Sequence, residues 1–346
     1  LTPPHLKNDP GQLSNHYVRQ VVVNEVFKNK QIQQGVPQTQ NTFDISYFPN
    51  QRGPYNFNAT DINSDGTFKS PKSNWAGIMR KIDQNDFEAA NIDYIELWMM
   101  DPFLNGHNPQ PNNSGQLYLH LGNVSEDMLS DSRKSFENGL TTNTQPNLRM
   151  DTTVWGNVPA IPAINNAFDN DPNSRLQQDV GLDGLSDANE RDFYKKKYLD
   201  SLANNFGTNS KAYIDALNDP ASDNYHFYRG SDFDSAKTSI LARYKYFNGP
   251  DGNSPSPNAP PPHQPKETYP VASQPNPNDE DINKDFTLNE IEEYYQYRID
   301  LSKSKLIVGQ NYVTDSVRSG PKLEKPCNCS DDTVTWYQLK VPVRSY

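Results

Sequence analysis

The sequence predicts an α+β chain: a mainly-β, jelly-roll-like sandwich carrying a helical insertion with two calcium-type loops. Three observations predict it. Two apolar runs, Tyr94–Met100 and Leu117–Leu121, are bounded by turn residues and read as core strands. Between residues 187 and 247 the apolar spacing changes from strand-like to helical. Two acidic twelve-residue stretches in this half repeat the ligand spacing of an EF-hand loop.

Bulk composition narrows the function classes. The 346 residues suffice for a real core, yet only 34% are hydrophobic, 28 are proline and mean hydropathy is −0.90. An aromatic fraction of 11% argues against wholesale disorder. A net charge of −11 gives no clustered cation surface for a phosphate backbone, so nucleic acid is excluded as the expected partner. Lys195-Lys196-Lys197 reads as a solvated helix face. No apolar run approaches the ~20 residues of a membrane-spanning helix. The chain opens on Leu1-Thr2-Pro3-Pro4 without Met or a visible signal peptide, and is expected to be a piece of a longer protein. Cys327 and Cys329 sit too close for an ordinary disulfide and are too few for a zinc site.

In chain order, residues 1–40 read as an extended arm with one β-branched run at 17–23. Residues 41–165 read as the sandwich. Phe43–Pro49 alternates like a strand, and Trp75–Arg80 is another strand candidate. Asp61–Gly66 begins like a calcium loop, but Lys69 and Lys72 stand at its ninth and twelfth positions, so an Asp-Gly hairpin turn is the better reading. Asp101-Pro102 stops the first core strand, since proline has no N–H for a ladder. Residues 124–139 read as a surface loop with one helical turn, and 155–168, punctuated by Pro159 and Pro162, as extended. Residues 166–303 form the helical insertion. Helices are expected at 187–206 (stopped by Gly207), 210–217, 235–247 and 288–301, with an exposed Pro-rich loop at 249–278. Residues 304–346 return as strands at 304–317 and 334–343.

The first calcium-type loop is 179–190. It offers Asp179, Asp183, Asp187 and Glu190, with the Leu185 carbonyl at position seven and glycine at position six; Gly181, at position three, offers no side chain. The second is 281–292, with Asp281, Asn283, Asp285, Thr287, Asn289 and Glu292. Phe286 replaces its usual glycine, which strains a turn that wants positive φ. Ca²⁺ is the cofactor these oxygen ligands call for. Helix capping competes as a reading, because Asp187 with Glu190 and Thr287 with Glu290 have capping-box spacing.

Catalysis finds little support. The six histidines are scattered, and there is no nucleophile elbow, P-loop or dinucleotide fingerprint. Glu96, Asp101, Glu126 and Asp127 could pair for glycoside chemistry, but with 43 acidic residues such pairs arise by chance. The expected protein is not an enzyme. A carbohydrate-binding or adhesin module is the alternative, with Trp75, Trp98 or Trp155 as sugar platforms.

Several ordered phrases carry a resemblance: QRGPYNF (51–57), SNWAGIMRKI (73–82), NIDYIELWMMDPF (91–103), GQLYLHLGNVSEDML (115–129), FENGL (136–140), QQDVGLDGLSDANE (177–190), YKYFNGPDGNSP (244–255) and EDINKDFTLNEIEEYYQYRIDL (280–301). Together they resemble the SprA/Sov family, the outer-membrane translocon of the Bacteroidetes type IX secretion system, also tied to gliding motility. The resemblance implies a giant β-barrel that exports folded cargo, working with a lateral-gate protein of PorV type and a plug protein. This chain would then be a soluble cap or periplasmic insert of that barrel at the outer membrane, with the cell-surface side favoured.

Overall fold

The structure, a computed structural model, describes residues 4–84, 86–104, 114–136, 149–161, 181–223, 231–243, 280–320 and 333–344. In chain order its helices are α1 (Pro10–Leu13), α2 (Val23–Val26), α3 (Asp187–Phe193), α4 (Asp200–Phe206), α5 (Lys211–Asn218), α6 (Ser231–Ser235) and α7 (Ile240–Arg243). Its strands are β1 (Val21–Val22), β2 (Thr39–Gln40), β3 (Tyr94–Met100), β4 (Gln116–Asn123), β5 (Met150–Thr152), β6 (Asn157–Pro159), β7 (Glu293–Asp300), β8 (Val313–Ser319) and β9 (Val334–Pro342).

Two sheets organise the β part. One is three-stranded, ordered β3-β9-β8, and the other pairs β4 with β7; all of these pairs are antiparallel. The alternation of β9 explains the layering. Tyr337, Leu339 and Val341 point to one side and share a buried cluster with Ile299 of β7 and the half-buried Leu117 and Leu119 of β4. Val334 and Trp336 point to the other side, where they meet Val21, Val26 and Leu104. The three-stranded sheet is therefore covered on both faces, by β4–β7 and by the N-terminal arm. These described strands make a three-plus-two arrangement, without the eight strands of a jelly roll.

The arm is fixed by a buried charge. Arg19 pairs through both terminal nitrogens with Glu25, at 2.8 and 2.5 Å, and its Nε donates to His16 Nδ1 at 2.9 Å. Glu25 Oε1 also accepts the Trp336 indole N–H at 3.0 Å. A buried carboxylate held this way is satisfied, while its removal would strand a buried guanidinium.

The second packing unit is helical. α3 runs through a π-type turn at Lys195–Leu199 into α4, which ends at Gly207 with φ +82°, as the sequence reading expects. Tyr194, Tyr198, Leu199 and Leu202 face inward with Ala212 and Ala216 of α5, against Ile62 and Phe68. Lys195, Lys196 and Lys197 are exposed. Ile62 and Phe68 bridge across the 61–68 turn, whose Asp65 carboxylate accepts Thr67 N at 2.9 Å, so the hairpin reading holds. Ser210 caps α5 by accepting Tyr213 N.

Several expectations need correction. Residues 288–301 are not a helix: 293–300 is strand β7, paired along its length with β4. Tyr294, Tyr295, Tyr297 and Ile299 suit a pleated surface, and pairing with β4 overrides the helix-favouring Leu and Glu residues before them. Phe43–Pro49 and Trp75–Arg80 form no strand, because neither finds ladder partners among the described residues. Only Val21–Val22 of the 17–23 run is strand, and the chain turns helical at Val23. β8 starts at Val313, not 304, after left-handed residues at Gly309, Asn311 and Tyr312. The expected helix 235–247 is broken between α6 and α7, and its end lies outside the described residues. So do the Pro-rich loop 249–278, Cys327 and Cys329. The described part of 124–139 carries no helical turn.

Leu339 is fully buried between the layers, so Leu339→Ala should cost about 2–5 kcal/mol in urea unfolding. Lys340→Ala, which removes only an exposed pair with Glu96, should stay within about 1 kcal/mol. Equal losses at the two positions would contradict the two-layer core.

Candidate metal centre

The start of α3, the turn after α5 and the 153–157 turn converge. Ser186 leads into α3, which puts Glu190 one turn along the helix, facing inward. Asp183 lies in the turn before it. α5 stops at Asp219-Pro220, and the turn that follows carries Asp223 back. Asp183, Glu190 and Asp223 are each buried, and their carboxylate oxygens lie within 4.8 Å of one another.

Protein contacts hold each carboxylate in place. Asp183 Oδ1 accepts Leu185 N at 3.0 Å, and its Oδ2 lies 3.1 Å from the Tyr194 hydroxyl, which also contacts the Trp155 carbonyl. Glu190 Oε2 accepts Ala221 N at 2.9 Å. Asp223 Oδ2 accepts the Tyr55 hydroxyl at 3.0 Å, and that oxygen in turn accepts Leu182 N at 2.6 Å. Burial, reinforced by Asp223 and Asp183, holds the Tyr55 hydroxyl well above its ordinary range; burial and Asp183 do the same for Tyr194. Both therefore stay protonated and remain donors to the cluster.

Two glycines make the close approach possible. A Cβ on Gly156 would fall 1.9 Å from the Asp183 carbonyl oxygen. A Cβ on Gly181, at φ +53°, would fall 1.8 Å from Asp223 Oδ2. In the loop count Gly181 is the position without a side-chain ligand. The carboxylate of Asp223, more than forty residues later, occupies that space.

The sequence-derived ligands divide as follows. Asp183 and Glu190 of the first loop come together. Asp179 lies outside the described residues. Asp187 opens α3, with its side chain not described, and Leu185 turns its side chain into the helical core. Asp223 was missed: nothing in its sequence neighbourhood marks it, and only the return of the chain after Pro220 brings it in.

The second loop is arranged differently. Asp281 is buried and accepts Asp285 N at 2.9 Å and Phe286 N at 3.2 Å. Asp285 accepts Thr287 through N and Oγ1, at 2.9 and 2.6 Å, and the amides of Asn283 and Asn289 at 3.0 and 3.3 Å. These bonds hold its carboxyl below the usual range, the Thr287 side chain most of all. Buried Glu126 threads the loop and accepts Ile282 N at 3.0 Å and Asn289 Nδ2 at 2.8 Å. Phe286 takes φ +64°, the strained backbone that the missing glycine implies. Glu292 is exposed. In this arrangement amide N–H groups donate where a cation needs acceptors, and Glu126 fills the loop.

The fit to Ca²⁺ therefore differs between the loops. Three buried carboxylates suit a hard cation that takes oxygen ligands, and like charges this close call for a counter-charge or protons. Among the described residues this is the group of three acidic side chains so disposed. Each candidate hydrolase acid is held by structural contacts: Glu96 bonds Gln338 on an exposed sheet face, Asp101 accepts Phe103 N, Glu126 is held by the second loop and Asp127 accepts Ser130 N. The three tryptophans are dispersed. Trp75 is 86% exposed, Trp98 packs edge-on against Phe27, and Trp155 lies beside Phe57.

With this geometry in view, the comparison with known families is informative. Residues 197–346 match the family model SprA_N, described as a motility related/secretion protein. The similarity covers the C-terminal part of the chain. The matched stretch includes α4, α5, β7, β8 and β9, and Asp223, while β3, β4 and Asp183 precede it. No curated protein matches the chain. The match supports a secretion- or motility-related role for the chain; among the described residues no helix is long and apolar enough to cross a membrane.

Gly156→Ala and Gly181→Ala should each destabilise the chain by about 1–3 kcal/mol, since the added methyl must push aside a backbone or carboxylate oxygen. Urea midpoints check this. Gly207→Ala has open space around it, so its cost should come from its positive φ alone and be the smallest. A neutral Gly156→Ala would contradict the close approach of Asp183.

Proposed function

We propose that this chain is a non-catalytic scaffold within a protein-secretion apparatus, its helical unit braced by Ca²⁺ at Asp183, Glu190 and Asp223. The observation that carries the reading is the SprA_N match over residues 197–346. The convergence of three buried carboxylates adds the calcium part. In this reading the chain is a soluble cap or periplasmic insert of a giant outer-membrane β-barrel that exports folded cargo. Its neighbours are the rest of the barrel, a lateral-gate protein of PorV type, a plug protein and the secreted cargo. The cell-surface side is favoured, because calcium is plentiful there.

Calcium would act on rigidity, not on chemistry. α3, the turn after α5 and the 153–157 turn each bring one wall to the cluster. A cation that draws the three acids together would tie these segments into one unit. Ligand binding to the folded state alone stabilises by about 2.7 kcal/mol at a hundredfold excess over Kd. The dispersal of Trp75, Trp98 and Trp155 gives the carbohydrate-binding alternative no shared platform.

Two measurements test this. Added Ca²⁺ should raise the urea midpoint and EDTA should reverse it. Asp223→Asn should abolish the response while raising stability in EDTA, where removing one of three crowded charges is favourable. If Asp223→Asn keeps the full calcium response, the cluster is not the site. In cells, deleting residues 181–223 from the full-length protein should stop cargo export while the barrel still reaches the membrane. Normal export from such cells would remove the scaffold reading.

A further inference from the structure

A second feature lies away from the carboxylates and does not depend on the export reading. Residues 41–48 and 75–82 carry strand-like sequences yet make no backbone ladder. Two contacts set them side by side. Asn74 Nδ2 donates to the Pro49 carbonyl at 2.6 Å, and the Arg80 guanidinium lies 5.7 Å from the centre of the Phe43 ring. Residue 49 thus meets 74 at one end and 43 meets 80 at the other, a single antiparallel register. The 61–68 turn lies between the two arms.

In that register strand alternation places Phe43, Ile45 and Tyr47 on the same face as Ile78 and Ile82. These five side chains are 47–62% exposed. In the same register the opposite face carries Thr42, Asp44, Ser46 and Lys81, with Met79 half-buried among them and Phe48 and Trp75 at its base. Five large apolar groups left in water in one strip mark a contact surface, not scattered exposure.

Charge indicates the partner. From Thr67 to Ile82 there is no acidic residue, while Lys69, Lys72, Arg80 and Lys81 are all present and exposed, in a chain of net charge −11. Lys69 and Lys81 bond only backbone carbonyls, of Thr60 and Asn283, and among the described residues none of the four pairs with a carboxylate. An apolar strip with Phe and Tyr that carries Arg80 on its own face, in a segment whose other cations pair with no carboxylate among the described residues, suits an anionic lipid surface: side chains enter the acyl boundary and cations meet the phosphates. We infer that residues 41–48 and 75–82 form an amphipathic hairpin that lies on an anionic membrane surface through Phe43, Ile45, Tyr47, Ile78 and Ile82. Closing the ladder between the arms would satisfy their backbone as water is excluded.

The test is flotation of the purified chain with vesicles. Phosphatidylethanolamine–phosphatidylglycerol vesicles should carry the protein up the gradient, and pure phosphatidylcholine vesicles should carry far less. Ile45→Ser with Ile78→Ser should weaken the association roughly tenfold or more. Arg80→Gln with Lys81→Gln should weaken it at low salt, and the difference should shrink as salt rises. Because all four residues are exposed, urea midpoints should not move, which separates lost binding from lost folding. No flotation with anionic vesicles, or flotation that Ile45→Ser with Ile78→Ser leaves intact, overturns the inference. So does a concentration-dependent dimer that the same serine pair abolishes, since the strip would then cover a second copy. Cargo export is not read in this experiment, so its failure leaves the scaffold reading standing.

Discussion

Strand β9 is the constraint on which the β part depends. It is paired on both edges, by β3 and β8, and covered on both faces, by β4–β7 and by the arm. Its sequence meets both demands. Val334, Trp336, Tyr337, Leu339 and Val341 supply apolar groups to both faces, and it has no proline before its last residue. The arm could lie on the sheet through apolar contact alone. Its position is instead specified by Glu25, which engages Arg19 and the Trp336 indole together. A slipped arm would carry the Arg19 pair with it but leave the buried Trp336 indole N–H without its acceptor, an added penalty beyond a mispacked valine.

Much of this was legible in the sequence where local pattern and tertiary environment agree. β3, β4 and β9 follow from apolar runs ended by turn residues, and α3–α5 from spacing, caps and Gly207. β7 was misread because Leu288 to Leu301 favours a helix by composition, while the β4 edge it pairs with lies far away in sequence. The runs at 43–49 and 75–80 show the converse: strand propensity without a strand, because a ladder needs a partner as well as a willing sequence. The sequence predicts an extended arm, but the reach of Glu25 to Trp336 has no local signature.

The carboxylate cluster shows the same division. The spacing of Asp183 and Glu190 is a property of one loop and could be counted. The third acid could not, since Asp223 arrives by way of α5 and a proline-stopped turn. The gap at Gly181, which by counting alone reads as a weakness of the motif, is the space the third acid needs. The second loop has the better ligand count and the less suitable geometry, because its amides and Glu126 already satisfy its oxygens. Ligand spacing measures opportunity; the hydrogen-bond partners decide whether the oxygens remain available.

The chain position of β9 has a consequence for how the protein is made. Trp336 and Glu25 are separated by 311 residues, and among the described residues β3 pairs with β9 alone. The β layers therefore cannot close until the segment carrying β9 has been made. Until β9 arrives, β3 presents an open edge and the arm has no indole to bind. Such long-range closure is slow, and an open apolar edge invites mispairing while it waits. The helical unit, built from contacts nearer in sequence, can form first. This region should thus assemble from its helical part outward, with the β part left open until β9 is available.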